Sequence, residues 1–143
     1  MDKTILAPAA VLVLWSIIML IWLAATRLPA LKTIGIDMTK AVGGRGADID
    51  PNMPPSIAWK SHNYAHLMEQ PTIFYATVAI LAIAGASGGI NTTLAWAYVV
   101  LRIVHSLWQA MVNTVPIRFA LFLLSTACLL ALAINALRAT LGA

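Results

Sequence analysis

The sequence predicts an all-α integral membrane protein, a bundle of four transmembrane helices. Three observations carry that prediction. Hydrophobic residues make up 61% of the 143-residue chain and charged residues only 10%, where soluble domains lie nearer half apolar and a quarter charged. A chain this short could hide little of that excess in one core, so a bilayer is the natural second solvent. The apolar residues also fall into four segments separated by polar or glycine-rich stretches.

The first helix is expected over residues 5–26. Residues 5–25 hold no ionisable group, and Arg27 closes the stretch. About 20 residues at 1.5 Å each cross a hydrocarbon core. The run exceeds an ordinary signal-peptide core, so it reads as a retained helix. Pro8 sits in its first turns, where a missing N–H does least harm. Residues 27–55 read as a cytoplasmic loop, with Gly35, Gly43, Gly44, Gly46, Pro51, Pro54 and Pro55 among mixed charges. Loops this long are often functional or disordered. The glycine run at 43–46 lacks the Gly-Lys-Ser/Thr ending of a phosphate loop and carries little weight.

The second helix is expected as one piece over 56–86, with Ser56 as N-cap after a proline pair. His62, His66 and Glu69 come first and an apolar stretch follows, ending at Gly85, Gly88 and Gly89. The third helix, 92–113, carries Arg102, His105 and Gln109. The fourth covers 115–138, with Thr114 as cap and Pro116 near its first position. No repeat, linker or second domain is visible, so the chain reads as a single domain. Cys128, the sole cysteine, lies in an apolar run and has no disulfide partner in the chain.

The formal net charge of +4 reads as membrane topology and not as nucleic-acid binding. Lys3 and Arg138 fall on the side of the termini. Arg27, Lys32, Lys40, Arg45, Lys60 and Arg118 fall on the other. Basic residues collect in cytoplasmic loops, so both termini are expected on the non-cytoplasmic side.

Two helices carry polar groups where hydrocarbon would surround them. Such groups usually face the bundle interior and have partners. His62, His66 and Glu69 share one helical face by their i, i+4, i+7 spacing, and Arg102, His105 and Gln109 do so at i, i+3, i+7. Glu69 lies ~20 Å above Ser56 and Arg102 ~17 Å above Asn113 by helical rise. At matching depth the two are expected to pair, directly or through a neighbouring polar group, facing a shared cavity. Such a pair could equally serve only to fix helix register. Arg118 stands in the first turn of the fourth helix. Its permanent charge and the helix N-terminus together would stabilise an anion such as a thiolate. The plain alternative is a basic residue that sets topology.

The segments 62–71, with Phe74-Tyr75, and 101–107, with Asn113 and Val115-Pro116-Ile117-Arg118, resemble the MAPEG family, the membrane-associated proteins in eicosanoid and glutathione metabolism. The likeness spans nearly the whole chain and looks closest to a bacterial branch, which implies a bacterial inner membrane. It implies a homotrimer with glutathione bound in cytoplasm-facing pockets between subunits, and lipophilic electrophiles as co-substrates. It also implies that Arg118 stabilises the thiolate, that Glu69 and residues beside it hold the tripeptide, and that Arg102 belongs to the same polar core. Three positions depart from the pattern. His66 stands where the family carries Asn, His62 where it carries Arg, and Gln109 where a tyrosine is usual.

Three function classes follow. The first is a glutathione-dependent transferase or peroxidase. Its site would hold Arg118 as catalytic residue and His62, His66, Glu69, Arg102, His105 and Gln109 around the ligand. The second is a non-enzymatic lipid or small-molecule binder on the same scaffold. The third is an intramembrane metal site from His62, His66 and Glu69, with His105 completing it.

Overall fold

The computed structural model describes residues 3–142, all of whose regular structure is helical. Helix α1 covers Leu6–Thr33, and a single turn, α2, covers Gly46–Ile49. A 3₁₀ turn at Asp50–Asn52 follows, then α3 at Pro55–Leu67 and α4 at Gln70–Ile83. Helices α5, Ile90–Met111, and α6, Val115–Leu141, complete the chain. Helix α1 and helix α6 are each long and apolar enough to cross a membrane.

Helix α5 organises the packing. It lies against α1, α3 and, most extensively, α6. Its buried positions include Asn91, Ala95, Tyr98, Arg102, His105 and Gln109, which recur every three or four residues and so form one face. That face is polar over its second half, and the fold sequesters those groups instead of presenting them outward. The main apolar core gathers Leu12, Phe74, Val78, Leu81, Tyr98 and Leu132, with the Phe74 and Tyr98 rings stacked 4.3 Å apart. Outside, Leu14, Ile21, Leu124 and Leu130 remain exposed. So much apolar surface on one chain demands a non-aqueous surrounding.

Two departures from the sequence reading bear on the site. The first helix was expected to end at residue 26, yet α1 runs two turns further, through Pro29. Ala30 and Leu31 supply the reason, since they bury against Met53 and Ala58 in a second apolar cluster. Arg27, expected to close the span, is instead neutralised inside it. Its Nη1 donates to Asp50 Oδ1 at 2.5 Å, and its Nη2 donates to the Gly46 carbonyl. The 27–55 loop is thus shorter than expected and carries folded turns.

The second correction concerns the helix expected over 56–86, which is broken. Pro71 has no N–H, and its ring collides with the carbonyl four residues back, that of Leu67. Helix α3 ends at Leu67, Glu69 turns out of the helical region at φ −88° and ψ −95°, and α4 restarts at Gln70 with Pro71 in its first turn. Thr72 closes the new N-terminus, its hydroxyl donating to the Glu69 carbonyl at 2.6 Å.

Candidate functional site

The break at Pro71 shapes the site. There the His66 carbonyl accepts the Glu69 N–H, three residues on, at 3.3 Å, and Arg102 Nη2 also donates to it from α5 at 3.2 Å. The same nitrogen lies 3.1 Å from His66 Nδ1. Arginine has no acceptor, so Nδ1 carries the lone pair and the ring hydrogen sits on Nε2. That Nε2 faces Glu69 Oε2 at 3.9 Å, an electrostatic contact too long for a hydrogen bond. Glu69 and Arg102 therefore meet through His66, a neighbouring polar group, and not directly.

They do not share a cavity, as the sequence reading expected. Arg102 is fully buried, whereas the Glu69 side chain is 68% exposed. The turn that ends α3 swings Glu69 off the face that His62 and His66 occupy. Among the described residues, two of the Arg102 nitrogens, Nε and Nη1, have no hydrogen-bond partner, nor does Gln109 Oε1. Both residues are buried. Arg102 orients His66.

A cavity of about 190 Å³ opens beside them, lined by His66, His105, Val115, Arg118, Phe119 and Phe122. The α6 contribution has i, i+3, i+4, i+7 spacing, one stripe of a single helix. The His66 and His105 rings stack at 4.9 Å, and Phe122 tilts against His66 at 5.6 Å. The result is a hollow that α6 lines with a guanidinium and two phenyl rings, and α3 and α5 with two imidazoles. Such a surface suits a ligand with an anionic end and an apolar neighbour.

The family model for MAPEG matches residues 5–138. The chain belongs to the MAPEG family. No curated protein and no solved structure matches it. As a MAPEG protein it is a membrane protein, on a scaffold related to glutathione-dependent transferases and peroxidases, and members of the family generally use glutathione.

Of the seven residues singled out in this MAPEG chain, three line the cavity together: Arg118, His66 and His105. Glu69 stands beside His66, Arg102 contacts His66, and Gln109 is buried without lining the cavity. His62 is elsewhere, with its Nε2 3.2 Å from Asp50 Oδ2 in the loop. That placement overturns the metal reading. Among the described residues, no group of three or more His, Cys, Asp or Glu side chains could hold a metal ion.

Sequence reasoning gave no role to Asp50, Phe119 or Phe122. The spacing of Val115, Arg118, Phe119 and Phe122 was a usable signal for the α6 stripe. Nothing local marks Asp50, whose partners lie 23 residues before it and 12 after.

Proposed function

We propose that this chain is a glutathione-dependent membrane enzyme, a transferase or peroxidase acting on lipophilic electrophiles. In this reading four spans, α1, α3 with α4, α5 and α6, assemble as a homotrimer in the bacterial inner membrane, with both termini on the non-cytoplasmic side. The observation that carries the reading is the cavity wall, which Arg118 lines together with two stacked histidines and two phenylalanines.

The bound thiol supplies a nucleophilic sulfur, and the residues of the wall make it usable. Arg118 brings a guanidinium, a permanent cation in proteins, to that wall. It lies in the first turn of α6, its N–H bonded to the Thr114 carbonyl at 3.2 Å. The partial positive charge of that helix end adds to its own. A thiol of ordinary pKa near 8.5 becomes largely ionised at pH 7 if that value falls by about two units. His66 and His105 orient the anion. Phe119 and Phe122 exclude water and give an apolar co-substrate a surface to rest on.

The residues fit the sulfur end of the tripeptide. The hollow itself is smaller than the ~300–1,000 Å³ of common small-molecule sites. The remainder would run along the exposed side of Glu69, with a neighbouring copy and membrane lipid closing the site.

Calorimetry with glutathione, followed by conjugation of an aryl halide, tests the proposal. Saturable binding and turnover that collapse in Arg118→Ala are expected. Binding of lipid without glutathione, or equal turnover in wild type and mutant, would leave a non-enzymatic binder on the same scaffold.

A further inference from the structure

The turn between α5 and α6 holds a residue with an unusual backbone. Asn113 has φ +58°, the one non-glycine residue at positive φ among those described. A left-handed residue lets the chain reverse within the three residues separating the helices, and its N–H closes the turn on the Trp108 carbonyl at 2.7 Å. Glycine enters this conformation at no steric cost, and asparagine is the side-chain-bearing residue that tolerates it best. The backbone alone therefore does not call for a side chain here.

The side chain has a distinct task. Asn113 Oδ1 accepts from Arg118 Nη1 at 2.5 Å. The turn that carries it is braced from a third direction, with Trp108 Nε1 donating to Thr114 Oγ1 at 2.9 Å. A guanidinium has five N–H donors. One is spent on a neutral carbonyl, and the other four have no acceptor among the described residues. Among the described residues, no carboxylate forms an ion pair with Arg118.

We propose that Asn113 is a positioning residue, holding the Arg118 guanidinium at the cavity in one orientation without cancelling its charge. The inference rests on the reading of Arg118 as the group that stabilises a thiolate. Its chemistry explains why a neutral acceptor occupies the turn. Aspartate there would hold the guanidinium equally well and neutralise it. Glycine would keep the turn and free the side chain to wander.

Two variants separate these roles, with a readout that does not need activity. The protein is labelled with ¹⁵N-arginine and placed in lipid nanodiscs, and Arg118→Lys assigns the Arg118 signal. Slow guanidinium rotation is expected for Arg118 in wild type and in Asn113→Asp, and fast rotation in Asn113→Gly. The absorbance of bound glutathione thiolate is then titrated against pH. Asn113→Gly should lose roughly 13- to 160-fold in kcat/KM, the worth of one hydrogen bond to a charged group. Asn113→Asp should raise the thiol's apparent pKa by about one unit while rotation stays slow.

Unchanged rotation and turnover in Asn113→Gly would overturn the proposal. So would an unmoved thiol titration in Asn113→Asp. Wild type that binds no glutathione removes the thiol reading instead, and the rotation measurement alone then decides whether Asn113 positions the guanidinium.

Discussion

Replacing Asp50 with asparagine should unfasten the 34–54 segment while leaving the helices in place. The carboxylate is shared between Arg27 Nη1 at 2.5 Å and His62 Nε2 at 3.2 Å, and the Asp50 and Arg27 side chains are only 9% and 12% exposed. Asparagine keeps the shape but loses the charge, and its NH₂ must face one of the two donors. Removing one partner of a buried ion pair costs ~3–5 kcal/mol. The amide oxygen keeps one hydrogen bond, so the expected cost here is ~2–3 kcal/mol. At 1.36 kcal/mol per decade this raises the open population roughly 30- to 160-fold.

Amide hydrogen exchange reads that population. The N–H of Met53 donates to the Asp50 carbonyl at 3.1 Å, and Met53 is buried against Ala30, Leu31 and Ala58. Its exchange should accelerate by that factor, whereas amides in the middle of α5 should not change. Asp37→Asn is the control. Its carboxylate is 53% exposed and 3.9 Å from Lys40 Nζ, so exchange at Met53 should change less than twofold, as for most surface pairs. Hydrogen bonds from Thr39 hold the Asp37 carboxyl below the usual carboxylate range, which is local turn chemistry and no tie to the helices. Exchange at Met53 within twofold of wild type in Asp50→Asn would refute the view that this carboxylate fastens the loop.

Arg118→Ala should cost only ~0.5–1.5 kcal/mol of stability, the worth of its one hydrogen bond to Asn113, while turnover falls by about 10²–10³ as expected for loss of a preorganised charge; denaturation midpoints beside kinetics measure both. Arg102→Met should destabilise the bundle by ~1–3 kcal/mol, because the His66 carbonyl and Nδ1 lose a buried donor. Unfolding in mixed micelles would show it, and a variant as stable as wild type would mean that the α3 end needs no such donor. Asn135→Ala removes the bond from Asn135 Nδ2 to Asn91 Oδ1 at 2.7 Å. A loss of only ~0.6–1.7 kcal/mol is expected, the range for helix-to-helix hydrogen bonds in membranes, and the same unfolding assay resolves it.

Much of the scaffold could be read from composition and spacing, because a bilayer imposes coarse rules on length and hydropathy. The long apolar α1 and α6 were visible, and so was the shared face of Arg102, His105 and Gln109, since helical periodicity is a local property. The break in the second helix was also encoded, by Pro71, but the surrounding apolar residues masked it. A proline is tolerated inside α1 at Pro29 and ends a helix near Pro71. What differs is whether another element satisfies the groups it frees. At the end of α3 the His66 carbonyl takes both the Glu69 N–H and Arg102 Nη2 from α5, which holds the broken end in place.

Sequence by itself determined that the chain is helical, apolar beyond what one core can absorb, and furnished with cationic side chains at defined depths. Tertiary structure alone decided who meets whom. It gave Asp50 to Arg27 and His62, drew His62 away from the cavity and turned Glu69 outward. It also brought Arg118 to the stacked histidines through a turn of three residues. Periodicity records which face of a helix a residue occupies. Pairing energies depend on distances between atoms on different helices, and those exist only once the helices have packed.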